Sequence, residues 1–230
     1  MPTDGPDPVA GIAALVEPAR RALYEYVVGE SAPVGREQAA EAVGIAHHSA
    51  KFHLERLVDE GLLEVEFRRL TGRSGPGSGR PAKLYRRSTV ELSVSLPQRR
   101  YDLAGDVLAT AIERSAARDL PVAATAREVA LEAGRAAGSQ LPRRRSETGR
   151  ALRALSDLGY EPRVGDDGIR LVNCPFHALA RAHTELVCGV NQAFVAGVLD
   201  GLSCDVLQAV LHPRPQQCCV LVRGGAPGRA

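Results

Sequence analysis

Two glycines, Gly44 and Gly61, punctuate the stretch GREQAAEAVGIAHHSAKFHLERLVDEGLLEVEF and leave it little choice of local fold. Gly35 to Val43 has the spacing of a short helix, and Gly44 stands where a left-handed residue ends one. A second helix is predicted from about Ala46 to Glu60, with Ile45, Phe52, Leu54, Leu57 and Val58 as core contacts and Gly61 as its stop. The following LLEVEF alternates as a strand does. Two short helices joined by a tight glycine turn, the second with an exposed polar start, form a helix-turn-helix. Upstream, Ile12, Leu15, Val16, Ala19, Leu23, Tyr26 and Val27 recur every three to four residues, which predicts one amphipathic helix.

The next segment, RRLTGRSGPGSGRPAKLYRR, joins two predicted strands through a loop of Gly, Pro, Ser and Arg. Such a loop cannot build a core. Its composition alone suits a disordered linker, but basic residues at base and tip and a returning strand favour a projecting β-hairpin wing. It contains neither of the glycine patterns that cradle nucleotide phosphates. Between Arg68 and Arg100 there are nine basic residues and one acidic residue, Glu91, in a chain whose net charge is only +2. A basic block on a nearly neutral chain predicts a local polyanion contact. The only lysines are Lys51 and Lys83, so isolated arginines carry little weight in this arginine-rich composition.

These features predict binding to double-stranded DNA. A recognition helix from about His47 would present His47, His48, Ser49, Lys51 and His53 to bases or phosphates in the major groove. Arg73 and Arg80 in the wing would neutralise phosphates or reach the minor groove. Because operators are read as paired half-sites, a homodimer is expected, with residues 100–118 as a candidate seam.

Pro97 begins a different composition. Three helices are predicted, over QRRYDLAGDVLATAIERSAARD, PVAATAREVALEAGRAAGSQL and SETGRALRALSDLG, and then a hairpin around Gly165-Asp166-Asp167-Gly168. The proposed division is 1–96 for DNA binding, 97–142 as a helical linker and dimerisation region, and 143–230 as a C-terminal domain. The predicted class is α+β, mostly helical. No apolar run approaches the roughly 20 residues that span a bilayer, and MPTDGPDP does not look like a signal peptide. The expected location is the cytoplasm, where thiols stay reduced.

Cysteine is absent from the first 173 residues, yet the last 57 hold Cys174, Cys188, Cys204, Cys218 and Cys219. Asn173 and Pro175 look like a helix start running to about His183, and a second helix is predicted from Val187 or Cys188 to Gly201. On one straight helix Cys174 and Cys188 would lie about 21 Å apart; a break near Thr184 lets them converge, each near a helix N-terminus that lowers a thiol pKa. Cys218 and Cys219 fall at the start of a final strand, CCVLV. Metal ligation and simple burial both remain open, because no CxxC knuckle occurs and Cys204 suits packing. His177 is three positions after Cys174 and is a candidate further ligand. Zinc held by Cys174, His177, Cys188 and Cys218 is the alternative metal site. A Cys174/His177 enzyme lacks a third orienting group, so no enzyme is predicted. A Cys218–Cys219 disulfide switch would be strained.

Beyond the helix-turn-helix and wing, GYEP, NCPFHALA, ELVCGVNQAFVAGVLDGL and CCV resemble the ArsR/DeoR-like bacterial transcriptional regulators, and within them the SufR family of iron–sulfur-sensing repressors. The resemblance covers about residues 10–222. It implies an N-terminal winged helix-turn-helix, a C-terminal α/β sensor domain, and a homodimer whose [4Fe–4S]-loaded form represses cluster-assembly or redox-stress genes. Matched by position, Cys174 and Cys188 correspond to the first two ligands and Cys218 to the last. Cys219 is an adjacent substitute, and Cys204 falls where only some members have cysteine.

Overall fold

The computed structural model describes residues 6–69, 81–141, 146–214 and 217–224. The class is α+β, with helices and two small antiparallel sheets. The chain divides into two compact units, Met1–Val94 and Ser95–Ala230.

The first unit opens with two helices, α1 (Pro8–Ala14) and α2 (Pro18–Gly29), where the periodicity predicts one. Pro18 has no N–H to donate into a preceding turn, so it ends the first helix and starts the second. Glu17 caps α2: its carboxylate accepts from the backbone nitrogens of Ala19 at 3.2 Å and Arg20 at 2.7 Å. Val16, assigned by the pattern to the apolar stripe, is 75% exposed at this break. The short strand β1 (Val34–Gly35) leads into α3 (Arg36–Val43), then α4 (His47–Asp59), β2 (Leu63–Arg68) and β3 (Ala82–Arg87). Gly44 (φ 73°) and Gly61 (φ 74°) adopt the left-handed conformation that closes each helix without a Cβ clash. The three strands are antiparallel in the order β1-β3-β2, with Val65 opposite Tyr85.

Leu23, Val27, Val34, Leu54, Leu57, Leu63 and Tyr85 fill the core of this unit. Full burial of Leu54 or Leu57 contributes about 1.5–3 kcal/mol. Phe52 departs from expectation and is 65% exposed. The buried face of α4 is set by Ala50, Leu54 and Leu57. Phe52 lies two residues beyond Ala50, about 200° around the helix, and therefore points outward.

The second unit contains α5 (Tyr101–Arg118), α6 (Val122–Ser139), α7 (Glu147–Asp157), β4 (Pro162–Gly165), β5 (Gly168–Leu171), α8 (His177–Ala182), α9 (Thr184–Gly201), β6 (Leu207–Leu211) and β7 (Val220–Gly224). Residues 97–142 fall within it rather than forming a separate body. The sheet is antiparallel throughout, in the order β4-β5-β7-β6. The predicted hairpin is β4–β5; β6 is an additional strand that the pattern did not reveal. The final strand starts at Val220, so Cys218 and Cys219 precede it.

The second unit is built around α9. Val187, Val190, Phe194, Val195, Val198 and Leu199 are buried on several sides of it, which marks a core helix rather than an amphipathic surface one. It runs in the same direction as α6, and the two backbones nearly touch. A Cβ added at Gly134 would meet the Phe194 carbonyl oxygen at 2.1 Å, and one at Gly197 would meet that of Leu131 at 2.1 Å. Only glycine permits this approach. Among the described residues, no helix is long and apolar enough to cross a membrane.

Candidate functional site

Each cysteine is placed by a different local device. Cys174 lies in a turn ahead of α8, where its carbonyl accepts from His177 N at 3.1 Å and from the Arg99 guanidinium at 2.8 Å. Asn173 is not the predicted helix cap, since α8 begins at His177 without a side-chain cap. Its amide nitrogen instead donates to the carbonyls of Gly159 at 2.6 Å and Gln98 at 2.9 Å, and its oxygen accepts from Arg99 at 2.6 Å. The Cys174 turn is thereby tied to the segment that carries Tyr160. Cys188 is in the second turn of α9, beyond a helix break at His183, close to the predicted one. Cys218 N donates to the Leu171 carbonyl at 3.0 Å, and the Cys219 carbonyl accepts from His212 N at 2.7 Å, so the vicinal pair bridges the ends of β5 and β6.

All five cysteines are free and buried. Four of them lie within electrostatic reach of one another, Cys174 with Cys218, Cys218 with Cys219, and Cys188 with Cys219. Three chain segments thus deliver their sulfurs to one interior region. Cys204 stands apart, its thiol directed at the Glu147 carbonyl at 3.6 Å and influenced by Arg150. His177 is exposed, and the structure does not bring it to the buried thiols. Cys174 is outside α8, so the helical i,i+3 relation assumed for the pair does not exist.

The expectation of acidified thiols is reversed. Interaction with the Cys218 thiol raises the Cys174 pKa, and burial adds to the effect. Cys188 is raised by burial, against an opposing interaction with Cys219. For Cys218 the interaction with Cys174 lowers the pKa, but Cys219 and burial prevail and push it up to about 12. Interactions between the thiols and desolvation together outweigh the field of a helix end, so Cys174, Cys188 and Cys218 are neutral without a metal.

Two side chains that the sequence did not single out complete the region. The Tyr160 hydroxyl donates to Asn191 Oδ1 at 2.6 Å, and Asn191 Nδ2 donates to Cys218 Sγ at 3.1 Å. Asn191 is 0% exposed and Tyr160 1%. Asn191 follows Cys188 by three positions, which puts both on one face of α9. Among the described residues, no group of three or more His, Cys, Asp or Glu side chains is disposed around a point as one metal ion requires. As a donor set, however, four buried thiols are soft ligands that suit a thiolate-held metal or iron–sulfur centre.

In the first unit, His47, His48 and Lys51 are exposed along the start of α4, and Ser49 is half-buried. His53 turns inward: its Nδ1 accepts from Arg20 Nε at 3.4 Å and lies 3.5 Å from Glu17 Oε2. Phe52 joins the exposed face instead, beside His48 and Lys51. Arg73 and Arg80 lie outside the described residues. Much of the basic block is already paired. Arg68 meets Glu66 at 2.7 Å and Arg86 meets Glu64 at 2.7 Å. Lys83 and the Tyr85 hydroxyl both donate to Glu55, at 2.6 and 2.8 Å, tying β3 to α4. Glu55 is desolvated, which raises its pKa, but these two donors more than compensate and hold the carboxyl below its ordinary value. No protein-family model matches the chain, and no curated protein or solved structure shows a significant match to it.

Proposed function

We propose that the protein is a DNA-binding transcriptional regulator, a homodimeric repressor of the winged helix-turn-helix type, controlled by a thiolate-held [4Fe–4S] cluster in its second unit. The observation that carries this reading is the convergence of Cys174, Cys188, Cys218 and Cys219 from three segments into one buried region. Cys174, Cys188 and Cys218 are the assigned ligands, with Cys219 next to them. His177 is set aside because it is exposed. When bound, a cluster supplies a redox- and oxygen-sensitive centre whose gain or loss reports cellular iron–sulfur status.

The DNA-binding part of the reading rests on α3 and α4, joined at Gly44, and on the β2–β3 hairpin anchored through Glu55. The exposed start of α4 would enter the major groove with His47, His48 and Lys51. Ion pairing within the hairpin leaves the site less positive than the sequence suggests, so the phosphate contribution to affinity is smaller and base contacts from the start of α4 carry the specificity. Regulation requires that the loaded and empty forms differ in DNA affinity.

Selection of bound duplexes from a random library, followed by anisotropy titration of loaded and metal-free protein, tests the whole reading. The expected result is a palindromic site bound at least tenfold more tightly by the loaded form. Failure to enrich any sequence refutes DNA recognition. Enrichment with equal affinities refutes control by the cluster. Stoichiometric zinc without redox dependence assigns the four thiols to a structural site instead.

A further inference from the structure

We propose that Asn191 is a positioning residue that selects Cys218, rather than the adjacent Cys219, as a metal ligand, with Tyr160 fixing the orientation of its amide. The inference rests on the reading of the thiol cluster as a metal centre and deepens it by assigning roles within the cluster.

Asn191 is the one amide among the buried residues of the core helix α9, whose other buried positions are Val, Cys, Gly, Phe and Leu. An amide in such a place costs free energy unless both its ends are satisfied, and an aliphatic side chain would fill the space without that demand. Here both ends are used. The Tyr160 hydroxyl donates to Oδ1 at 2.6 Å, which turns Nδ2 toward Cys218 Sγ at 3.1 Å. Tyr160 is itself held by backbone bonds, its nitrogen donating to Leu155 O at 2.9 Å and its carbonyl accepting from Asn173 N at 3.1 Å. Asn173 belongs to the turn that presents Cys174, and Asn191 shares a helix face with Cys188. Hydrogen bonds thus tie Cys218 to the turn of Cys174, and the position of Asn191 on α9 relates both to Cys188.

An N–H pointed at sulfur stabilises the metal-bound form, in which the sulfur carries negative charge. Cys218 receives this donor, and no hydrogen bond of the described residues gives the Cys219 sulfur an amide donor. The asymmetry between two neighbouring thiols follows from that contact. Donors to ligating sulfur also set the electronic character of the centre, since they withdraw density from the metal–sulfur bond.

The test uses the full chain, reduced and kept anaerobic, with cobalt(II) as a spectroscopic probe and iron plus sulfide as the second load. Asn191→Leu should weaken cobalt binding at least tenfold, and Tyr160→Phe should weaken it less, because the amide keeps its N–H but loses its orientation. Both should shift the sulfur-to-cobalt charge-transfer band to lower energy, which a loss of packing alone would not do. Cys218→Ser should abolish most of that band's intensity, and Cys219→Ser should retain it. Tyr160→Phe, the milder change, keeps the inference falsifiable if Asn191→Leu does not fold. Wild-type binding with an unshifted band in the variants overturns the role of Asn191 and leaves the metal centre standing. Greater loss in Cys219→Ser than in Cys218→Ser overturns the choice of ligand. A wild-type protein that takes up neither cobalt nor an iron–sulfur cluster overturns the metal centre and this inference together.

Discussion

Replacing Gly197 by alanine tests what holds α9, the helix that carries Cys188 and Asn191. An added Cβ would stand 2.1 Å from the Leu131 carbonyl oxygen, 2.9 Å from its carbonyl carbon and 2.9 Å from the Arg135 nitrogen. All three are backbone atoms of α6, so no rotamer change relieves the clash. The helices must separate locally by about 1 Å, a gap that forfeits up to about half of the dispersion energy of each affected contact. Overpacking of this kind costs about 1–3 kcal/mol, occasionally more, and alanine returns about 1 kcal/mol of helix propensity. Clash with rigid backbone places this site at the upper end, for a net loss of about 2 kcal/mol and a Tm lower by about 5–10 °C. Gly105→Ala on α5 is the control. Nothing lies within 4 Å of its added Cβ, so it should gain about 0.5–1 kcal/mol. Thermal unfolding of both variants followed by circular dichroism makes the comparison. A Gly197→Ala protein as stable as wild type would refute the claim that backbone contact along α6 fixes the position of α9. Displaced by that distance, Cys188 also loses its register with Cys218, and metal uptake should weaken in parallel.

Tyr160→Phe should cost about 1–3 kcal/mol in urea unfolding, because Asn191 Oδ1 is left buried without a donor; an unchanged midpoint would contradict the contact. The pH dependence of stability follows from the raised thiols. Cys218 titrates at about 12 in the folded chain, against about 8.5 for an unfolded cysteine. Its contribution is therefore complete below about pH 8.5 and is lost as pH rises from there toward the folded value. Metal-free protein should show this alkaline loss, and Cys218→Ala should show less of it. On the DNA side, Lys51→Ala should reduce the salt dependence of binding by about one charge. Phe52→Ala should leave Tm unchanged, since the ring is 65% exposed, while lowering affinity for the selected sequence. A large drop in Tm would instead show that the ring is part of the core.

The first unit was legible where glycine and periodicity act locally. Gly44 and Gly61 mark helix ends because a positive φ is needed there, and the alternation of LLEVEF survives as β2. Pro18 was equally visible, yet the apolar stripe across it suggested a continuous helix that a residue without an N–H cannot sustain. The hydrophobicity of Phe52 suggests a core position, whereas the Ala50, Leu54 and Leu57 spacing faces it away from the core. The basic block is less positive than its composition for a different reason: Arg86 meets Glu64 through strand register and Lys83 meets Glu55 through the approach of β3 to α4, neither of which is local in sequence.

The thiol region shows the sharper limit. A break between Cys174 and Cys188 could be read from the sequence, but the meeting of Cys218 with Cys174 depends on β7 pairing between β5 and β6, a nonlocal arrangement. Helix-end electrostatics predicts anionic thiols; interaction with the Cys218 thiol and then burial raise Cys174 instead, and burial raises Cys188. Asn191 carries a faint signal, an amide beside Gln192 in the apolar run of ELVCGVNQAFVAGV, three residues after a cysteine. Its partners, Tyr160 and Cys218, are distant in sequence, so its role could not be read without the fold.

Cluster binding is tested by anaerobic purification of the full chain, with absorption near 400 nm, iron and sulfide measured together. A cluster-binding protein shows a chromophore with iron and sulfide in equal amounts, lost in Cys174→Ser, Cys188→Ser and Cys218→Ser and retained in Cys204→Ser. Colourless, iron-free protein after reconstitution with iron and sulfide would contradict it.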